Sequence, residues 1–299
     1  MGEAWLATIP GVREGEALSR HSWYGIGGPA RFFLEVGDDR VLDRLVPRLQ
    51  QDGIPSFVLG AGSNTLIADR GLPGLTIKLR SEGVTLADGT VLVEAGTLMP
   101  ALAARMARAG RTGLEFGAGV PGTVGASVYG NAGAFGVEVK DRLVEAEALD
   151  SQGRRHVIHA EACALGYRDS TFKQERRGWV VTRARFRVEP DDPARVRARI
   201  LEVQKHRRDT QPVERRSLGS TFKNPPADAA GRLIDACGLK GRRVGGAEIS
   251  LKHANFIVNR GQASAEDVLA LIAEMRDRVR DRFGITLEPE IQFLGISPP

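Results

Sequence analysis

Short runs of β-branched and apolar residues recur along this chain, and the glycines between them are clustered. Phe57-Val58-Leu59, Leu75-Thr76-Ile77-Lys78-Leu79, Val91-Leu92-Val93 and Val180-Val181-Thr182 read as strands ending in tight turns. Ala87-Asp88-Gly89-Thr90 and Asp150-Ser151-Gln152-Gly153 have the composition of hairpin turns and predict antiparallel neighbours. Three stretches carry helical signals. Residues 98–109 are rich in Ala, Leu and Arg and stop at Gly110, and residues 193–207 open on a proline at a tolerated first-turn position. Over 265–283, Val268, Leu271, Ile272, Met275 and Val279 fall on one helical face. Ser264 with Asp267 makes a capping box ahead of that helix, and Gly284 stands where a C-terminal cap belongs. In the last segment Ile285, Leu287, Ile291 and Phe293 alternate against Glu288, Glu290 and Gln292. That predicts a strand over 285–293 with one polar face, placed at a sheet edge by Pro289. The class is α+β: a glycine-rich sheet domain up to about residue 190, then a helix leading into a smaller unit.

Composition narrows this. With 299 residues, 42% hydrophobic and 26% charged, the chain is long enough for one large domain or two to three medium ones, with ample apolar surface for their cores. No stretch approaches the roughly 18 uninterrupted apolar residues of a membrane helix. The opening segment Gly2-Glu3-Ala4-Trp5-Leu6 lacks the basic and apolar regions of a secretory signal, so the cytoplasm is expected. Cys163 and Cys237 are far apart and form no C-x-x-C pair, which predicts buried free thiols. His21, His156, His159, His206 and His253 have no metal-ligand spacing, and no metal is expected.

The net charge of +5 suits either a nucleic acid or an anionic small molecule. Its densest stretch, Lys205-His206-Arg207-Arg208 with Arg215-Arg216, is interrupted by Asp209 and Glu214 and has no interleaved aromatic rings for stacking bases. It reads as a solvated helix end and loop or as an anion-binding segment.

Two glycine-rich turns invite a large ligand. Gly60-Ala61-Gly62-Ser63-Asn64 follows an apolar strand, and its glycines permit positive φ and close approach of backbone amides to a pyrophosphate. It is neither a Walker loop nor a dinucleotide fingerprint, and such a turn also occurs without any ligand. The stretch 113–136 is longer, with small residues at most positions and Val120-Pro121 and Val124 among them. A flexible linker would be more polar, so backbone laid flat against a large ligand is the alternative to plain packed turns. Ser220, in Gly219-Ser220-Thr221-Phe222-Lys223-Asn224, is a candidate nucleophile or proton donor, or simply a turn cap, since no nucleophile elbow or evident histidine base accompanies it. Arg168 beside Asp169 is open to a surface ion-pair reading, and Glu290 to that of a solvated strand face.

Taken together and in order, the motifs resemble the UDP-N-acetylenolpyruvoylglucosamine reductase family. The likeness runs from WYGIGGPA (23–30) through LGAGSN (59–64), GAGVPGTVGASVYGNAGAFG (117–136), GYRDS (166–170), RRDTQP (207–212), GSTFKNP (219–225), AGRLIDACGLKG (230–241), GGAEIS (245–250) and HANFIVN (253–259) to LEPE (287–290). The chain looks like the short form, without the stretch that longer members insert after GSTFKNP. The resemblance implies a two-part FAD-binding domain of the vanillyl-alcohol-oxidase (PCMH) type plus a smaller α+β substrate-binding domain. Its expected division is 1–75 with the returning strand 290–299, then 76–200, then 201–289. It implies non-covalent FAD, with Gly60, Ala61, Gly62, Ser63 and Asn64 on the pyrophosphate and Val120, Pro121, Gly122, Thr123, Gly125, Asn131, Gly133 and Ala134 along the rest of the cofactor. Arg168, Ser220 and Glu290 match the family's catalytic set. NADPH would reduce the FAD, and the flavin would pass a hydride to C3 of UDP-N-acetylglucosamine enolpyruvate. Arg168 would oppose the developing charge, Ser220 would protonate C2, and Glu290, expected in its protonated form, would share in stabilising the intermediate. Arg168, Lys223, Asn224 and Gln211 are the expected substrate contacts. The expected partners are these small molecules, with no nucleic acid, no membrane and no second subunit.

Three rivals make different predictions. A flavin oxidase of the same fold would show a His or Cys in the FAD loops, and neither loop has one. A basic nucleic-acid binder would be colourless and would bind DNA or RNA in a salt-dependent way. A non-catalytic nucleotide-sugar binder would tolerate loss of Ser220.

Overall fold

A computed structural model describes residues 2–299. The described residues divide into two compact units: residues 2–14, 32–61 and 74–206 form the first, and residues 15–31, 62–73 and 207–299 the second.

A four-stranded sheet has the order Arg13–Ala17, Pro29–Val36, Leu72–Leu79, Ser56–Leu59, the last two parallel. The helix Leu42–Gln51 lays Leu42, Leu45 and Leu49 against Phe32, Leu34, Leu75 and Ile77. This helix is not among the three expected from the sequence, and it carries Pro47 inside it; its buried stripe outweighs the missing N–H. A second, antiparallel sheet has the order Arg155–His159, Leu143–Leu149, Val180–Arg187, Thr90–Glu94, Val84–Ala87. Both expected hairpins are in it. Asp88 and Gly89 take positive φ, and the Asp150 carboxylate accepts from the amides of Gln152 and Arg154. Met99–Arg108 is helical as expected, and its Met99, Leu102 and Met106 share a core with Phe116, Val124, Phe172 and Phe186.

The second unit is built around Ala265–Phe283. Its capping box is formed by Ser264 and Asp267, Gly284 caps it with φ of 68°, and all five stripe residues are buried. It packs with Ala230–Ala236 on a small sheet in the order Arg216–Ser217, Ile257–Asn259, Ala247–Ile249, Arg243–Val244. The helix Pro193–Thr210 runs three residues past its expected end, and the boundary between the units falls inside it.

The expected strand over 285–293 is corrected. Only Gln292–Leu294 is a strand, and it runs parallel to Thr65–Ile67. Pro289 offers no N–H, and the flanking groups go elsewhere: Glu288 C=O accepts from Lys223 N and Glu290 N–H donates to Thr221 C=O. The expectation for the cysteines is also corrected in part: Cys163 is buried, but Cys237 is half-exposed. Among the described residues no helix is long and apolar enough to cross a membrane, and no His/Cys/Asp/Glu group is arranged for a metal.

Leu271 is 0% exposed at the centre of the second core. Leu271→Ala should cost about 2–5 kcal/mol and Ser264→Ala about 1 kcal/mol; urea unfolding of the two variants should rank them in that order.

Candidate functional site

The turn after Ser56–Leu59 is shaped by its glycines. A Cβ on Gly60 would lie 2.8 Å from Thr123 Oγ1, so only glycine lets the turn close on the second glycine-rich stretch. Gly62 has φ of 63°, and a Cβ there would sit 2.8 Å from the Cα of Ser22. The amides of Ala61, Gly62, Ser63 and Asn64 donate to no acceptor among the described residues. Successive amides without a protein partner in a glycine-opened turn leave donors available to an anion, which is compatible with a pyrophosphate.

The second stretch is more regular than its composition suggested. Val124–Tyr129 is a short helix, with Thr123 Oγ1 accepting from Ala126 N and Ser127 Oγ donating back to Thr123 C=O. A Cβ on Gly125 would come 2.8 Å from Ala95 Cβ; close packing, not flexibility, calls for the glycine. Val120, Gly122 and Thr123 are buried, and Pro121 is half-buried. Gly133 and Ala134 pair with Glu138 and Val137 in a hairpin whose turn residues, Phe135 and Gly136, both have positive φ.

Asn131 connects this stretch to the loop of Arg168. It is fully buried with φ of 42°. Its Nδ2 donates to Gly166 C=O (2.7 Å) and to Glu138 Oε2 (3.0 Å), and its Oδ1 accepts from Lys140 N (3.0 Å). The side chain is thus fully engaged within the protein, and any contact with a cofactor falls to its backbone. Its own carbonyl faces Arg168 Nη1 at 3.4 Å. Arg168, with φ of 56°, sits in a tight turn closed by reciprocal bonds between Gly166 and Asp169. Its carbonyl accepts from Lys173 Nζ (2.6 Å), and its guanidinium lies 3.6 Å from Glu138 Oε1. Glu138 also binds Lys140 Nζ at 2.8 Å, and that bond raises the lysine's pKa. The sequence offered Asp169 as the neighbour of Arg168; Glu138, thirty residues away, went unnoticed because hairpin 133–138 had to form first.

In the second unit Ser220 begins a segment tied down on both sides. Thr221 N donates to Asn255 C=O (2.8 Å), Phe222 N to Asn255 Oδ1 (3.0 Å), and Asn255 Nδ2 to Phe222 C=O (2.8 Å). On the other side Thr221 C=O accepts from Glu290 N (2.9 Å) and Glu288 C=O from Lys223 N (2.9 Å), with Phe222 opposite Pro289. Ser220 and Glu290 therefore sit one register position apart. The Glu290 carbonyl accepts from Asn64 Nδ2 at 3.2 Å, and Asn64 C=O accepts from Gln292 N. Ser220 is half-buried, and its hydroxyl has no partner among the described residues. Glu290 is half-buried, whereas the Glu288 side chain is 70% exposed and pairs with Lys223 Nζ at 2.5 Å. Asn224 Oδ1 accepts from Ala230 N at the start of the next helix, and Gln211 Oε1 accepts from Arg207 Nε.

Asn255, within HANFIVN, has no role that the sequence assigns. The signal was an asparagine set in an otherwise apolar run, for which a buried amide always needs partners. His253 supports it: burial, and then the charge of Lys240, lower its pKa, and its Nδ1 stays an acceptor for Asn255 N at 3.2 Å.

An FAD-binding domain model matches residues 30–159. With the glycine-opened turns, this makes the chain a flavoprotein: an FAD-binding domain of the PCMH type joined to a smaller α+β domain. A second model, described as the C-terminal domain of UDP-N-acetylenolpyruvoylglucosamine reductase, matches residues 211–294. The reductase of that name from Rubrobacter xylanophilus is 44% identical over 289 residues, 96% of each chain. That from Gloeobacter violaceus is 42% identical, covering 95% of this chain and 96% of its own. The crystal structure of the Thermus caldophilus enzyme, at 40% identity, superposes with a TM-score of 0.80 over 95% of this chain and 99% of that one. The chain belongs to the UDP-N-acetylenolpyruvoylglucosamine reductase family.

Asn131→Ala leaves Lys140 N without its partner and Gly166 C=O with Asp169 N alone, and Asn255→Ala unpairs both backbone groups of buried Phe222. A buried group left unpaired should cost about 1–3 kcal/mol. Thermal melting should show both losses; Asn131→Ala should also loosen the loop of Arg168, read as faster proteolysis near residue 168.

Proposed function

We propose that the chain reduces UDP-N-acetylglucosamine enolpyruvate to UDP-N-acetylmuramate in peptidoglycan precursor synthesis, with NADPH as electron donor, as a cytoplasmic monomer. We further propose the three-part division 1–75 with 290–299, 76–200 and 201–289. The observation that carries the reading is the unpartnered Ser220 hydroxyl on a backbone fixed from both sides, one register position from Glu290.

Gly60, Ala61, Gly62, Ser63 and Asn64 would hold the FAD pyrophosphate through their amides, and Val120, Pro121, Gly122, Thr123, Gly125, Asn131, Gly133 and Ala134 would lie along the rest of the cofactor. When bound, FAD would supply the chemistry of hydride transfer between NADPH and C3 of the enolpyruvyl group. Negative charge then develops at C2 and in the carboxylate. Arg168 would meet it with two N–H donors, leaving its longer contact with Glu138 for the substrate's carboxylate. Ser220 would deliver the proton to C2, which completes the addition of one hydride and one proton across the double bond. Glu290, acting as a neutral acid, would donate a hydrogen bond to the same charge, where a carboxylate would repel it. Lys223, Asn224 and Gln211 would contact the sugar nucleotide. Lys223 would first have to leave Glu288, an exposed pairing of small worth.

Anaerobic flavin absorbance separates the steps. NADPH should bleach the wild-type flavin, and only the enolpyruvyl sugar nucleotide should restore it; recovery with oxygen alone would support an oxidase instead. Ser220→Ala should bleach at a near-normal rate and recover slower by about 10²-fold or more. Normal recovery would remove Ser220 from the proton transfer. Arg168→Lys should raise KM and lower kcat together, because a point charge does not replace a paired donor.

A further inference from the structure

The arginine-rich segment beyond the long helix takes no part in the chemistry above, yet half of it reappears in one place. Glu214, Arg215 and Arg216 line an open cavity of about 610 Å³ in the second unit, together with Arg20, Ser22 and Trp23. Glu214 is its one carboxylate. Among the described residues, the guanidinium groups of Arg20, Arg215 and Arg216 have neither an ion pair nor a hydrogen bond. Several other arginines of this unit are partnered, as Arg260 is by Glu248 and Arg242 by Glu274. Three like charges gathered around one hollow repel each other unless an anion joins them.

The walls of the cavity are fixed. Arg216 lies in a strand paired with Ile257–Asn259. Its guanidinium lies in a notch over Gly25, where a Cβ would collide with Nη1. Trp23 N donates to Gly62 C=O (3.2 Å), and its neighbour Tyr24 is buried, with its hydroxyl on Ile257 C=O (3.1 Å). On so rigid a segment the Trp23 side chain is nevertheless 55% exposed. Trp23 is thus an aromatic face held in solvent beside three unpaired guanidinium forks.

We infer that this cavity binds a nucleoside phosphate, its base stacked on Trp23 and its phosphate oxygens met by Arg20, Arg215 and Arg216. Arginine pairs with phosphate through two parallel N–H bonds, and an indole stacks on any base. The volume is within the range of small-ligand sites. Two molecules of the proposed reaction carry this chemistry, the 2′-phosphorylated adenosine end of NADPH and the uridine diphosphate of the sugar nucleotide. Because Trp23 is bonded to Gly62, a ligand in the cavity is one hydrogen bond from the cofactor turn. The inference concerns binding alone and stands or falls independently of the roles given to Arg168, Ser220 and Glu290.

The test titrates the FAD-loaded protein with 2′-AMP, with UDP and with inorganic phosphate, following tryptophan fluorescence and, independently, heat. At least one nucleotide should quench the emission. Trp23→Phe should remove most of that quench, and Arg215→Ala or Arg216→Ala should weaken binding by about tenfold each. Arg216→Lys should recover part of it, and binding should weaken as salt is raised. Preference for 2′-AMP assigns the cavity to the reductant, and preference for UDP to the sugar nucleotide. The inference is overturned if phosphate alone binds as well as either nucleotide. It is equally overturned if arginine variants that melt like the wild type bind both nucleotides unchanged, or if no ligand perturbs Trp23.

Discussion

A buried backbone group must have a partner, and in this protein that demand is hardest to meet in the segments that carry the candidate site. Those segments are irregular, so no helix or sheet ladder serves them. Asparagine does so instead, with a donor and an acceptor on one short side chain. Asn131 joins three groups of the 131–140 and 166–169 loops in the first unit. Asn255 does the same for the Ser220 segment in the second, and Asn259 holds the carbonyl of buried Tyr24. These amides hold the backbone of the loops that carry Arg168 and Ser220.

Glycine solves the complementary problem of closeness. At Gly60, Gly62 and Gly125 a single methyl group would strike a neighbouring backbone or side chain. The glycine-rich stretches are therefore sites of contact rather than of mobility, and the helix Val124–Tyr129 inside one of them follows from that contact. The unpaired amides of residues 61–64 are the consequence for a ligand: backbone that packs this tightly on one side offers bare donors on the other.

Charge is handled in two ways. Many arginines pair with carboxylates, as Arg155 does with Asp39 and Asp43 and Arg199 with Glu115 and Asp191. Others have no carboxylate within reach, and where three of these converge with Trp23 the surface takes on the character of a binding site. The net charge of +5 says nothing of this division. It is decided by which carboxylates the fold brings within reach.

Local rules were enough for the elements whose stability is local. The hairpin at Asp88-Gly89, the capping box at Ser264 and the stripe of Ala265–Phe283 are legible because turn chemistry and helical period act over a few residues. The order of the motifs was enough for the family, and with it the candidates Arg168, Ser220 and Glu290. What lay beyond the sequence was every relation set by chain segments far apart. Pairing of 221–223 with 288–290 broke the strand expected over 285–293, and the buried stripe of Leu42–Gln51 overrode Pro47. Glu138 became the neighbour of Arg168, and Arg20 came to share a cavity with Arg216. The sequence by itself determined which chemical groups are available and the elements that neighbours in the chain can stabilise. Only the tertiary structure decided which of those groups are satisfied and which remain open to a ligand, because a buried donor or charge finds its partner through space and not along the chain.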